Sequence, residues 1–283
     1  MRRKNNITIG YVIILNESGD FLKNIPVALG LYTVHKALEK DMKDTLLTVG
    51  KMGFTGVEFY GEPVYEPNIL KQALQDANLT LVGWYMEWRH LQRNTIDKTI
   101  DYCKKIGLKN IIIPCLGGKW NVGHTKDEES KEIWENYIKE INQIQRKLSK
   151  HGIKLGYHNH EHEFILNYDG QTVFDKLCEN LSGQVIIELD TGNAIEGGAN
   201  PTTLLKQNKN REIFLHCKPF SHENGFNVLL GEDSDDNDWE SILSACHEGN
   251  VSYLIIESES EIHDEFKSAK CCLDALLNYI GAR

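Results

Sequence analysis

LGYHNHEHEF at residues 155–164 and IIELDTGN at residues 186–193 are β-rich runs that each stop at a cluster of ionisable residues. FLHCK at 214–218 and LIIESE at 254–259 have the same form. Valine, isoleucine and leucine on the approach favour a buried strand. A charge in the middle of such a strand would have to be buried, so the polar residues belong at the strand ends.

Outward from these four stretches a rhythm of strand and helix runs from residue 26. The candidate strands are Val27–Val34, Gly56–Tyr60, Leu79–Trp84, Asn110–Cys115, Ile153–His160, Gln184–Asp190, Glu212–Lys218 and Tyr253–Glu259. Between them apolar residues recur at helical spacing, as in Met42, Leu46, Val49 and Met52, or Trp134, Ile138, Ile141, Ile144 and Leu148. Ile69, Leu70, Ala73, Leu74 and Ala77 form another such stripe, and Phe266, Ala269, Leu273, Leu276 and Ile280 the last. Gly53, Gly107 and Gly152 stand where helices need a C-terminal cap. The acidic stretch 232–238 reads as a loop, with Asp238 as the N-cap of a helix starting near Trp239.

Eight alternating units predict an α/β fold, a single (β/α)8 barrel of the TIM type over residues 26–283. An open doubly wound sheet would carry a glycine-rich phosphate loop after an early strand, and neither G-x-G-x-x-G nor G-x-x-x-x-G-K-[ST] occurs. Residues 1–25 read as an N-terminal extension. Arg2, Arg3 and Lys4 ahead of Ile7–Leu15 faintly resemble a signal peptide, but Thr8, Gly10 and Tyr11 interrupt the run and no small-residue cleavage site follows.

The net charge of -10 argues against nucleic acid as a partner. No run reaches the ~18 apolar residues of a membrane span. Seven cysteines, an odd number without a C-x-x-C pair, argue against a disulfide framework and a thiolate zinc site, and point to a cytoplasmic location. Cys115 and Cys217 read as packing residues. A homo-oligomer is compatible with the composition.

Side chains alternate along a strand, so His158 with His160, Glu188 with Asp190, His216 with Lys218, and Glu257 with Glu259 share faces that can point to the barrel axis. In a barrel the C-terminal strand ends carry the active site. Convergent carboxylates repel unless something positive lies between them. Carboxylate oxygen with imidazole nitrogen and no thiolate suits one divalent metal ion: Mn2+, Mg2+, Co2+ or Zn2+. Such an ion polarises a carbonyl of a small sugar or polyol. Tyr32, Trp84, Trp88 and Trp120 are candidates for a sugar-stacking wall or, equally, for packing.

These four strand ends resemble the xylose isomerase-like TIM-barrel superfamily, the sugar phosphate isomerase/epimerase group, and the resemblance covers about residues 26–280. It implies metal ligands from the fifth to eighth strands. Asp190, His216 and Glu257 match three of them. The first is Glu163 or His158. Many members carry a Glu where His158 stands, whereas the branch similar to inosose dehydratase would use Glu163. His158 and His160 would then serve substrate or proton transfer, and Lys218, Glu188, Asn193 and Trp120 would contact substrate. The resemblance further implies an isomerase or epimerase in which Glu163 and Glu257 act on opposite faces of a carbon beside the carbonyl. The alternative is a lyase, either inosose dehydratase-like or cleaving 3-keto-glycosides. Asn193 stands where many epimerases have His, and Pro219 where Asp is common. Two rival readings are a nuclease on the same barrel, disfavoured by the acidic charge, and a non-catalytic sugar-binding barrel, disfavoured by the intact ligand set.

Overall fold

The computed structural model describes Leu22, residues 24–119 and residues 130–281. Eight parallel strands close in chain order into a barrel. They are β1 (Val27–Gly30), β2 (Gly56–Phe59), β3 (Thr80–Tyr85), β4 (Asn110–Ile113), β5 (Lys154–His158), β6 (Ile186–Asp190), β7 (Ile213–Cys217) and β8 (Val251–Ile256). The seam between β8 and β1 pairs Val27 with Leu254, Ala28 with Ile255 and Leu29 with Ile256, which leaves no sheet edge open. This is the predicted (β/α)8 architecture. A two-stranded hairpin, Asn167–Tyr168 with Gln171–Thr172, lies outside the barrel.

Strand alternation separates two cores. Ala28, Val82, Ile112, Ile186, Phe214 and Ile255 fill the barrel interior. Their neighbours along each strand, such as Leu29, Ile111, Ile113, Ile187, Leu215 and Ile256, pack outward against the helices in a much larger cluster. Ile186, Phe214 and Ile255 therefore set the parity for Glu188, His216 and Glu257, two residues further on, which also point inward.

Helix ends follow their local chemistry. Asp41 caps Met42–Met52 by accepting from the Lys43 and Asp44 amides, and Gly53 closes it at φ 106°. Thr172 and Asp175 form a capping box for Val173–Asn180. Asp238 caps Trp239–Cys246, as expected.

The strands end earlier than their composition predicts. β1 gives way at Leu31 to a 3-10 turn, Leu31–Val34. β5 stops at His158, β7 at Cys217 and β8 at Ile256. The chain leaves the ladder where each strand-to-helix loop begins, and β-branched composition continues past that point. His160, Lys218, Glu257 and Glu259 thus sit on the first residues of the loops, at the barrel mouth.

Candidate active site

The C-terminal mouth of the barrel holds a cavity of about 280 Å3. His158, His160, Asn193, Lys218, Glu257 and Glu259 line it together with Tyr32, Tyr60, Tyr85 and Phe226. Below its floor lie further buried ionisable groups.

Asp190 ends β6 and begins the next helix at once. Its Oδ1 accepts the Asn193 N–H at 2.7 Å as the N-cap. Its Oδ2 is buried and has no hydrogen-bond partner among the described residues. Oδ2 lies 3.8 Å from both His158 Nε2 and Lys218 Nζ. Asn159 points away from this cluster and ties β5 to β6. Its Oδ1 accepts the Asp190 N–H at 3.0 Å, and its backbone carbonyl accepts from Asn193 Nδ2 at 3.1 Å.

His158 and His216 each turn one nitrogen down and one up. His158 Nδ1 lies 3.1 Å from Glu188 Oε1 and 2.8 Å from the Tyr85 hydroxyl. His216 Nε2 lies 2.8 Å from Glu58 Oε2 and 3.2 Å from Glu188 Oε1. The other nitrogen of His216, Nδ1, faces Glu257 Oε2 at 3.0 Å. Lys218 Nζ donates to Glu257 Oε1 at 3.1 Å and Glu259 Oε1 at 2.7 Å, and sits 4.6 Å from the centre of the Phe226 ring.

The electrostatics follow from burial. Desolvation raises Asp190 to about 7, partly countered by Lys218. Burial alone would raise Glu257 as well, but Lys218 and His216 hold it well below the carboxylate range. His216 moves the other way: burial would lower it, yet Glu188, Glu257 and Glu58 raise it well above the ordinary value. Without a metal, imidazolium and ammonium supply the positive charge the carboxylates need. Burial, then His216 and His160, holds His158 well below its usual range. Burial also brings His160 down to about 4.

The donor set fits a divalent ion. His158, Asp190 and His216 offer ligand atoms within 4.8 Å of one another, and Glu58, Glu188 and His216 do so one layer deeper. The buried oxygens Asp190 Oδ2, Glu188 Oε2 and Glu58 Oε1 have no hydrogen-bond partner among the described residues. A buried carboxylate oxygen in that state is costly unless a cation approaches it.

The structure brings together Asp190, His216, Glu257, His158 and Lys218 from the sequence-predicted set, with His160 and Asn193 on the cavity wall. Glu163 lies apart from them. Tyr157 donates to its Oε1 at 2.6 Å, the His160 N–H donates to its Oε2 at 2.8 Å, and His162 Nε2 lies 3.1 Å away. Tyr157 belongs to the outward-packing core, so Glu163 is held on the helix side of β5. Glu188 sits behind the two imidazoles, with no place in the cavity lining. Trp84 is fully buried against Phe59 at 4.7 Å, and Trp88 packs on Tyr137, so both are packing residues. Of the three described aromatic candidates Tyr32 alone lines the cavity; Trp120 lies outside the described residues. Cys217 is buried in the outer core, as expected, whereas Cys115 lines the cavity.

Sequence reading missed Glu58, Tyr85, Tyr60 and Phe226. Glu58 had a signal: a lone carboxylate inside the run GVEFY must be buried, and it shares the inward parity of Gly56. Phe226 sits in a loop and had none.

The sequence profile of the xylose isomerase-like TIM barrel family matches residues 47–274. An inosose dehydratase from Geobacillus kaustophilus is 22% identical over 193 residues, 63% of this chain and 62% of that protein. The alignment thus spans less than two thirds of that relative's length. A sugar phosphate isomerase/epimerase from Parabacteroides distasonis superposes with a TM-score of 0.73 at 18% identity, over 91% of this chain and 100% of that one. An L-ribulose 3-epimerase superposes with a TM-score of 0.65 at 12% identity, over 91% of this chain and 95% of that one. With a closed eight-stranded parallel barrel, ionisable clusters at its mouth and a profile match over most of its length, the chain belongs to the xylose isomerase-like TIM barrel family.

Proposed function

We propose that the protein is a divalent-metal-dependent enzyme that removes the proton beside the carbonyl of a small keto-polyol or keto-sugar, and that the outcome is elimination of water or an alcohol. The observation that carries this reading is the position of Glu163. Exchange of a proton across two faces by a pair of carboxylates requires both at the cavity, and Glu163, bonded by Tyr157 and the His160 N–H and 3.1 Å from His162, is not among the residues lining it. Of that pair, Glu257 lines the cavity and Glu163 does not.

His158, Asp190, His216 and Glu257 would hold the ion. A bound divalent cation would supply a Lewis-acidic centre that acidifies the carbon beside the substrate carbonyl. Glu257, kept ionised by Lys218 and His216, is a weak base and serves as a ligand. His160 is neutral at pH 7 because burial disfavours its charge, so it can accept the carbon-bound proton. Lys218 stays cationic and offsets negative charge that develops on the substrate oxygen. In the elimination the C–H bond breaks, its electron pair forms the C=C bond, and the β C–O bond breaks. The His160 imidazolium returns its proton to the departing oxygen. Tyr32, Tyr60 and Phe226 supply apolar faces for the carbon skeleton and exclude water from the ring.

A panel of inososes, ketoses and 3-keto-glycosides in deuterated water tests this. The expected result is an unsaturated product, with solvent deuterium washed into recovered substrate. His160→Gln should slow exchange by roughly 10²–10⁴-fold with metal content unchanged. An inverted but saturated product, or normal exchange in His160→Gln, would overturn the elimination reading in favour of an epimerase or another base. Asp190→Ala should stay folded and lose most of its metal.

A further inference from the structure

The group formed by Glu58, Glu188 and His216 offers three ligand atoms within 4.8 Å, as a second metal site would. Its geometry points elsewhere. Glu58 reaches across the barrel from β2 to His216 on β7, with Oε2 2.8 Å from Nε2. Glu188 Oε1 lies between the rings, 3.1 Å from His158 Nδ1 and 3.2 Å from His216 Nε2. Both nitrogens belong to rings whose other nitrogen faces Asp190 or Glu257. A second ion here would have to share the His216 ring with the first, which requires the imidazole to lose both N–H protons.

We infer that Glu58 and Glu188 are positioning residues: each accepts an N–H from the rear of an imidazole ligand, fixing its tautomer and aiming its other nitrogen at the ion. This inference rests on the metal reading above. Neither carboxylate lines the cavity, so neither touches a substrate there. Both are buried, and Oε1 of Glu58 and Oε2 of Glu188 have no hydrogen-bond partner among the described residues. Burying them is unfavourable for the metal-free protein. The unfavourable term is relieved when the imidazoles they face are polarised by a cation, because a ligand ring gains basicity and orientation from a carboxylate behind it. Gly83 makes room for this arrangement: a Cβ there would lie 2.2 Å from Glu58 Oε1.

The experiment is Mn2+ binding to the full chain, wild type against Glu58→Gln and Glu58→Ala, with stoichiometry, Kd and metal-free melting temperature measured together. Wild type should bind one ion. Glu58→Ala should still bind one, with Kd weakened about 10–100-fold, while its metal-free melting temperature is unchanged or higher. Glu58→Gln should recover part of the affinity, because its amide oxygen still accepts from Nε2; it also keeps the test open if the alanine variant fails to fold. Unchanged Kd in both variants would overturn the positioning role. Two ions in wild type with one lost in Glu58→Ala would make the deeper group a metal site. Wild type binding no ion would remove the metal reading itself.

Discussion

Asp190 Oδ1 accepts the Asn193 N–H and caps a helix, which leaves Oδ2 facing His158 and Lys218. The stretch DTGN therefore caps a helix and leaves one carboxylate oxygen that could hold an ion, two readings that look like rivals in the sequence. His162 and Glu163 were legible as ionisable but not as a structural pair. The His162 ring lies 3.1 Å from Glu163 Oε1 and 3.0 Å from the Leu116 carbonyl. Burial would lower its pKa, but Glu163 and Leu116 raise it to about 8. Because the folded value exceeds the ordinary 6.5, its contribution to stability is complete below pH 6.5 and disappears as pH rises through 8. That contribution is about 2 kcal/mol. Urea unfolding near pH 6 and pH 9 should show the gap between wild type and His162→Gln narrowing by about this amount. A gap that does not change with pH would mean that His162 is uncharged in the fold.

At the scale of elements, the ladder between β2 and β3 skips a residue. Val57 pairs with Leu81, but Glu58 pairs with Gly83. The irregularity places the one residue without a side chain opposite the inward carboxylate. Gly83→Ala should therefore push Glu58 off His216 and weaken metal binding, with the barrel retained. Gly30 on β1 is the control. A Cβ there would lie 3.4 Å from Glu257 Oε2, an ordinary contact. Gly30→Ala should bind metal close to wild type. Metal titration of the two variants decides the point: equal affinities would show that the cavity above Gly83 relaxes without disturbing the site. No alternation pattern reveals this, because a bulge changes which residues face each other without changing composition.

For the molecule as a whole, the proposed metal site would couple metal binding to protons. Burial holds Asp190 at about 7, and His216 carries a proton against Glu188, Glu257 and Glu58. A divalent ion must displace those protons, so affinity should fall as pH drops below about 7, and binding should release at least one proton. Calorimetric Mn2+ titrations near pH 6.5, in buffers of different ionisation enthalpy, should give apparent enthalpies that differ accordingly. Identical enthalpies in all buffers would contradict the coupling. At 100 times Kd, bound metal should also stabilise the fold by about 2.7 kcal/mol. Among the described residues no helix is long and apolar enough to cross a membrane.

The sequence by itself determined the barrel, because eight short β-rich apolar runs alternate with stretches of helical hydrophobic period, and parallel strands apolar on both faces are buried only when helices cover them. It also determined that Asp190, His216 and Glu257 would meet, since inward parity and the mouth of a parallel barrel leave those side chains nowhere else to converge. Only the tertiary structure decided the partners of Glu163. Its position after β5 allows either side of the strand, and the Tyr157 hydroxyl and the His162 ring claim it for the helix layer. Likewise the partnership of Glu58 with His216 spans 158 residues and crosses the barrel axis. Contacts of that kind depend on closure of the sheet, and no local pattern encodes them.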